Sequence, residues 1–244
     1  QRMMTSYFRV GGLALEPPLD FYKQVQDFLN IMPGRITQYE GLLTANPIWM
    51  KRLKGVGILS AADAIALGVT GPPLRASGVD WDLRRDMPYS GYEKFDFKVP
   101  VSNDCDVFAR YDVRMDEMRE SVKICQQALN GMPTGPIVAD APKIILPERE
   151  KMKTQMEALI HHFKIVTEGF PVPAGQVYQG VESPRGEMGY YVVSDGTAKP
   201  YRVHMRNPSF ATLQALETMC KGRLIADVVA VIGSIDIVLG EIDR

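Results

Sequence analysis

One stripe constrains this chain more than any other feature. Phe108, Tyr111, Met115, Met118, Val122, Cys125 and Leu129 recur at steps of 3, 4, 3, 4, 3 and 4. That spacing keeps seven apolar side chains on one side of an α-helix of about six turns. Asp116, Glu117, Arg119, Glu120 and Lys123 fall elsewhere around the axis, and Gly131 and Pro133 end the run. A helix of this length needs other elements to cover its stripe.

Shorter segments supply them. A helical pattern covers Asp20 to Leu43, with Phe21, Val25, Phe28 and Leu29 as apolar positions and a break expected near Pro33. In "SAADAIALG", Ser60 reads as an N-cap and Gly68 as a stop. "WMKRLKGVGIL" reads as loop or short strand. Gly68 to Tyr92 is dense in Gly, Pro and charge, too irregular for a helix or paired strand. Such long stretches tend to be functional. Arg75, Arg84 and Arg85, with Asp80 and Asp82, can satisfy its buried backbone or contact a ligand. A second long helix is expected from Pro147 to Gly169, with Met152, Met156, Leu159, Phe163 and Val166 as a core stripe.

Beyond Gly169 the period changes. "QVYQGVESP", "EMGYYVVSD" and "YRVHMRN" read as three short strands, joined by "ESPRGE" and by a turn at "DGTAKP". Two short helices follow, near Ser209–Cys220 and Arg223–Ile232. The predicted class is α+β, long packed helices with a small antiparallel sheet near the C-terminus. The chain then carries Ile235, Ile237, Val238 and Leu239 almost to its end and stops on Glu241, Asp243 and Arg244. Such a tail is either a buried last strand or turn, or a segment threaded into a site.

Composition narrows the function. The 244 residues are 45% hydrophobic and 23% charged, with net charge −1, so no basic footprint points to nucleic acid. No run of 18 apolar residues occurs to span a membrane. Cys105, Cys125 and Cys220 are widely spaced, with no CxxC pair to ligate zinc or an iron–sulfur cluster, and they fit a reducing, cytoplasmic compartment. His161 and His162 point about 100° apart on a helix and read as structural or solvent-facing, not as a chelating pair. No GxGxxG suggests nicotinamide binding. The chain opens on Gln1 without an obvious leader, which suggests a start inside a larger protein.

Three stretches together carry a resemblance: "LRASGVDWDLR", "ESPRGEMGYYVVSDG" and "ADVVAVIGSIDIVLGEIDR". With "RMMTSYFRVGG" and "MKTQMEALIHHFK", they resemble, in order and along the whole chain, the forty-nine-kilodalton (D) quinone-site subunit of respiratory complex I. The resemblance implies that residues 1–244 are the C-terminal part of such a subunit, with the N-terminal part absent. It also implies the fold of the nickel–iron hydrogenase large subunit. In those hydrogenases a C-terminal Asp-Pro-Cys-x-x-Cys motif holds the metals. Here the matching stretch is Asp236 to Glu241, with Val238 and Glu241 where the thiolates would stand. Soft thiolates are what nickel requires, so no metal is expected on this chain.

By resemblance, the tail lines an old metal cavity that now takes a quinone headgroup. Asp236, Val238, Glu241 and Arg244 are its expected quinone-binding residues, together with Arg185 of "ESPRGE", which would approach Asp236. A quinone takes up two electrons and two protons, so its site needs an apolar slot, oxygen-directed donors and titratable groups. No catalytic residue is assigned. The family's histidine and tyrosine that contact the headgroup belong to the absent N-terminal part. Met4 and Thr5 stand where relatives often have a histidine.

The implied function is a core subunit of a proton-translocating NADH:quinone oxidoreductase in a respiratory electron-transport chain. The implied substrate is quinone. The terminal iron–sulfur cluster would sit in a neighbouring small subunit, NAD and flavin in others, and a membrane arm would complete the partners. The implied location is peripheral, on the cytoplasmic side of the cell membrane or the equivalent organelle membrane. Two alternatives stand beside it: the large subunit of a membrane-bound hydrogenase-like complex, and a non-catalytic scaffold subunit.

Overall fold

The computed structural model of the chain describes residues 7–243. Met4, Thr5 and Arg244, named above, lie outside the described residues. The order of elements is β1 (Phe8–Arg9), β2 (Gly12–Leu13), α1 (Phe21–Leu43), α2 (Pro47–Leu53), α3 (Ala61–Ala66), α4 (Pro72–Arg75), α5 (Leu83–Asp86) and a 3-10 turn at Tyr92–Lys94. It continues with α6 (Val107–Asn130), α7 (Arg149–Thr154), α8 (Met156–Thr167), β3 (Gly175–Ser183), β4 (Gly186–Ser194), β5 (Arg202–Arg206), α9 (Pro208–Gln214), α10 (Leu216–Cys220), α11 (Ile225–Ile235) and α12 (Leu239–Asp243). The class is α+β, as expected, with a three-stranded sheet in the order β3-β4-β5 near the C-terminus. Two residues, Pro184 and Arg185, join β3 to β4, a link that only antiparallel neighbours allow.

The chain divides into two units. The first takes residues up to Tyr22, 132–178 and 191–204. In it β1 pairs antiparallel with β2, Phe8 opposite Leu13 and Arg9 opposite Gly12. The second takes residues 23–131, 179–190 and 205 onward. Its core gathers Leu53, Leu59, Val69, Leu74, Met219, Val231 and Ile235. The Ser60 cap forms, its hydroxyl accepting from the Asp63 amide, and Gly68 follows the helix at φ 68°.

Several expectations need correction. α1 runs unbroken through Pro33. Gly34 follows the ring without a side chain, and the Thr37 hydroxyl donates to the Pro33 carbonyl. "WMKRLKGVGIL" is not loop or strand at its start: Trp49 to Leu53 belong to α2, begun by Asn46 and Pro47. The Asn46 side chain accepts from the amides of Ile48 and Trp49, and Pro47 has no amide to leave unpaired. The Gly68–Tyr92 stretch holds two single-turn helices, α4 and α5, and residues 69–77 are buried.

The expected helix from Pro147 is two, α7 and α8, parted at Gln155, whose extended backbone (φ −124°, ψ 120°) ends one helix and caps the next. Its stripe is not core: Met156, Leu159, Phe163 and Val166 are exposed, and Ala158 is buried instead. On α6 the predicted stripe is only half-buried, apart from buried Met115 and exposed Cys125. Val107, Arg110 and Val113 on the adjacent face lie deeper.

Candidate functional site

α6 brings charge inward at every turn. Its N-cap, Asp106, accepts from the Ala109 amide at 2.7 Å and, across 51 positions, from the Gly55 amide at 2.7 Å. Arg110 stands one turn on, then Arg114, then Glu117, a spacing of 4, 4 and 3 that lines them along one side. Arg110 is fully buried. All three of its nitrogens are bonded: Nε to the Ser234 hydroxyl (2.9 Å), Nη1 to the Cys105 carbonyl (3.2 Å) and Nη2 to the Gly57 carbonyl (2.7 Å). Burial, with the neighbouring Arg114 charge, pushes its pKa down to about 10.

Glu117 reaches the second buried arginine. Arg75 at the end of α4 is 1% exposed. Its Nε donates to Glu117 (2.8 Å), and its Nη1 donates to Glu182 (2.8 Å) and to the Trp81 carbonyl (3.0 Å). Its Nη2 pairs with Glu117 at 2.7 Å. Asp82, fully buried, takes Arg84 at 2.6 Å. Burial lowers the pKa of Arg75, but Glu117 and Glu182 outweigh it and hold it above the usual value. Asp82 is desolvated too, yet the Arg84 hydrogen bond and charge hold it below the usual carboxylate range. Burial raises Glu182, against the pull of Arg75. Three carboxylates and two guanidiniums thus share one enclosed network. Removing one member strands a buried charge.

The network carries the β3–β4 turn. Gly71, at φ 73°, lies so close that an added Cβ would stand 2.4 Å from the Gly186 Cα. The Thr70 hydroxyl accepts from the Glu187 amide at 3.0 Å. Arg206 donates to the carbonyls of Glu187 (2.6 Å) and Gly68 (2.8 Å). The turn is thereby seated on the 68–71 backbone, with Arg185 projecting from it. Arg185 Nε donates to the Asp236 carbonyl at 2.7 Å and lies 3.3 Å from its Oδ2.

Asp236 ends α11 in the left-handed conformation, φ 50°. Asp tolerates that region better than most residues. The tail after it is not a buried strand. Ile237 packs on the core, Val238 is 40% exposed and Leu239 69%, and α12 follows at once. Glu241 is tethered: the Ser209 hydroxyl donates to its carboxylate, and Asn207 Nδ2 donates to its carbonyl at 2.9 Å. The structure therefore brings Arg185 and Asp236 together, leaves Val238 beside them in the chain and open to solvent, and ties Glu241 to α9. The expected partners of the arginines change: Arg85 donates to the Phe97 carbonyl, and Glu117 and Glu182, not Asp80, join Asp82 around Arg75.

Arg114 was not singled out by the sequence. Its Nη1 donates to the Arg110 carbonyl at 2.9 Å, while its buried Nε and Nη2 have no partner among the described residues. Burial lowers its pKa, and the Asp236 charge opposes that most. A buried donor without an acceptor costs about 1–3 kcal/mol, more when charged. The signal was there in "FARYDVRMDEM": arginines four apart and a glutamate three further on, set beside the apolar stripe.

A cleft of about 1100 Å³ belongs to the first unit; His161, His162, Ile145 and Met152 are among its lining residues, and Arg185, Asp236, Val238 and Glu241 are not. A cleft of open, mixed character is a weaker claim to chemistry than a seated ion pair beside an unsatisfied guanidinium. Among the described residues, no group of His, Cys, Asp and Glu is placed to hold a metal ion, and no helix is long and apolar enough to cross a membrane.

The α+β architecture, with its charges gathered at a hairpin turn and a helix end, belongs to the class related to the nickel–iron hydrogenase large subunit. More particularly, the chain belongs to the family described as the respiratory-chain NADH dehydrogenase 49 Kd subunit, whose profile matches residues 1–244. It is 68% identical over its whole length to the second NADH-quinone oxidoreductase D-type subunit of Koribacter versatilis, covering 61% of that protein. It is 66% identical to the first D-type subunit of Solibacter usitatus, covering 60% of it. To the D-type subunit of Citrifermentans bemidjiense it is 60% identical, covering 62%. The chain thus spans about three fifths of the length of these relatives.

Proposed function

We propose that the chain forms part of the quinone-reduction site of a membrane-attached, proton-translocating NADH:quinone oxidoreductase. The observation that carries this reading is the Arg185–Asp236 pair, held at a helix end beside an apolar tail that is left open rather than packed away. A quinone ring is flat and apolar with an oxygen at each end. The exposed faces of Val238 and Leu239 suit the ring, and a guanidinium–carboxylate pair suits an oxygen that gains protons. Glu241 serves as the tether of the tail, and Arg244 follows it in sequence.

Electrons are supplied by an iron–sulfur cluster in a neighbouring small subunit, itself fed from NAD and flavin sites elsewhere in the complex. The residues here bind and orient the ring and hold a proton-accepting carboxylate near it. The complex lies against the cytoplasmic side of a membrane arm, or its organelle equivalent, and couples this reduction to proton movement. The name that the relatives carry, NADH-quinone oxidoreductase, supports the reading.

The test is Asp236→Asn in the intact complex, chosen because Asn also tolerates positive φ. Loss of one charged hydrogen-bonding group from the site should change quinone KM or kcat about tenfold per assembled complex. NADH should still reduce the clusters. Wild-type quinone kinetics in this variant and in Arg185→Lys would sink the proposal.

A further inference from the structure

Arg185 meets Asp236 from a turn, so its aim depends on what holds that turn. The link between β3 and β4 is Pro184 and Arg185 alone. On the near side Glu182 is gripped from the interior: its carboxylate accepts from Arg75, and its amide donates to the Tyr89 hydroxyl at 2.9 Å. On the far side the grip comes from Arg206, the last residue of β5. Its Nη1 donates to the Glu187 carbonyl at 2.6 Å and its Nη2 to the Gly68 carbonyl at 2.8 Å. A planar fork that bridges two carbonyls fixes direction as well as distance. The Thr70 hydroxyl shares the grip, accepting from the Glu187 amide at 3.0 Å and from Arg206 Nη1 at 3.4 Å.

Arg206 stands on a firm base. Asn207, Pro208 and Ser209 directly after it are buried, and Pro208 opens α9. Two of these residues hold the opposite side of the site. Asn207 Nδ2 donates to the Glu241 carbonyl at 2.9 Å, and the Ser209 hydroxyl donates to the Glu241 carboxylate. Residues 206–209 therefore grip the turn that bears Arg185 and, three positions on, the tail that follows Asp236. Arg185 and Asp236 are 51 positions apart, yet their supports lie side by side. The two grips on the turn differ in burial. The Arg75 side chain is 1% exposed and that of Arg206 26%. Removing Arg75 strands buried carboxylates. Removing Arg206 loosens the turn without doing so, since the Glu187 side chain is 19% exposed.

We propose that Arg206 is a positioning residue of this site: by clamping the β3–β4 turn to the Gly68 backbone, it aims the Arg185 guanidinium at Asp236, from a segment that also holds the tail. The inference rests on the quinone reading above. Arg206 touches no substrate, so its whole effect on the reaction passes through Arg185. Misplacing a group of the site by about 1 Å can cost about a hundredfold in rate. A looser turn spreads Arg185 over many directions, and the quinone then meets the pair in fewer of its encounters.

The experiment is a double-mutant cycle in the intact complex, with Arg206→Met, Arg185→Gln and the two combined, beside Asp236→Asn. Kinetics with a short-chain quinone are measured per assembled complex. Arg206→Met should lower kcat/KM about tenfold or more, the effect of one good interaction, with cluster reduction by NADH unaffected. On the Arg185→Gln background the same change should cost nothing further, because the group it aims is gone. A merely structural role would give losses that multiply instead. Wild-type kinetics in Arg206→Met, or a full second loss in the combined variant, overturns the inference. If Arg185→Gln or Asp236→Asn is altered in that event, the quinone reading stands without it. If both are wild type, the reading falls and takes the inference with it. Should Arg206→Met fail to assemble, Arg206→Gln, which keeps a donor but neither the charge nor the fork, replaces it in the cycle and is judged the same way. Loss of assembly in both makes Arg206 a residue of folding alone and overturns the inference.

Discussion

Arg75 Nη1 and Glu182 Oε1 meet at 2.8 Å, although 107 positions separate them in the chain. The pair joins the end of α4 to the end of β3, and it does so with both side chains under 5% exposed. Glu117 on α6 shares the same guanidinium. The contact fixes where the β3–β4 turn leaves the interior, and hence where Arg185 points.

Arg75→Met should prevent assembly. It fills much of the volume but leaves Glu117, Glu182 and Asp82 without their shared cation, a loss of about 3–5 kcal/mol. The measurement is the amount of the subunit retained in purified complex. Near-normal retention would mean that the network is dispensable.

Asp82 sets a pH dependence. Its carboxyl is held below the usual range in the folded chain, so the unfolded chain binds the proton more readily. The stability it contributes is complete above its ordinary pKa, 3.8, and is lost as pH falls through the lowered folded value. Glu182 acts with the opposite sign: raised by burial, it gives up stability as pH climbs above 4.5. The destabilisation caused by Asp82→Asn should shrink in acid, read from thermal denaturation of the complex at pH 7 and below pH 4. A difference that stays constant with pH contradicts the assignment.

Gly71→Ala should displace the β3–β4 turn. The new methyl would sit 2.4 Å from the Gly186 Cα and 2.9 Å from the Arg185 carbonyl, on a backbone already at positive φ. Strain of about 1–3 kcal/mol is expected. Gly91→Ala is the control, since φ there is 88° but no atom lies within 4 Å. Quinone kinetics per complex should change in the first variant and not in the second. Equal behaviour would show that the close approach is unimportant.

The tail separates packing from chemistry. Val238 is 40% exposed, so Val238→Met should change stability by no more than about 0.5 kcal/mol. An altered apparent KM for quinone, or altered inhibitor resistance, would then report the slot itself. Unchanged kinetics per assembled complex would make the tail a structural element. Glu241→Gln, which keeps an acceptor for Ser209, should resemble wild type, and Glu241→Ala should release the tail to proteolysis. If Glu241→Gln abolishes quinone reduction with the tail intact, its carboxylate handles protons after all.

Much of this is legible in sequence where the cause is local. The Ser60 cap acts over three residues, the three strands announce themselves by a change of period, and α6 repeats over six turns. Asn46–Pro47 is an equally local signal, since both residue types favour a helix start, although the residues after it read as loop by pattern alone. Pro33 misleads in the other direction, because a break is a preference that packing can override, here with Leu29 and Ile36 buried on either side of the ring.

Periodicity says that a helix has an apolar face, and it is silent on which face the fold buries deepest. On α8 the Met156–Phe163 side is exposed, and on α6 the arginine side lies deeper than the apolar stripe. The elements, the hairpin turn and the charged end of the tail follow from neighbours within a few positions. The burial of Arg75 and Arg110, and the approach of Arg185 to Asp236, follow from contacts between residues 42 to 124 apart. No pattern of neighbours encodes such pairs, because a buried charge is tolerated only where distant segments bring acceptors to it.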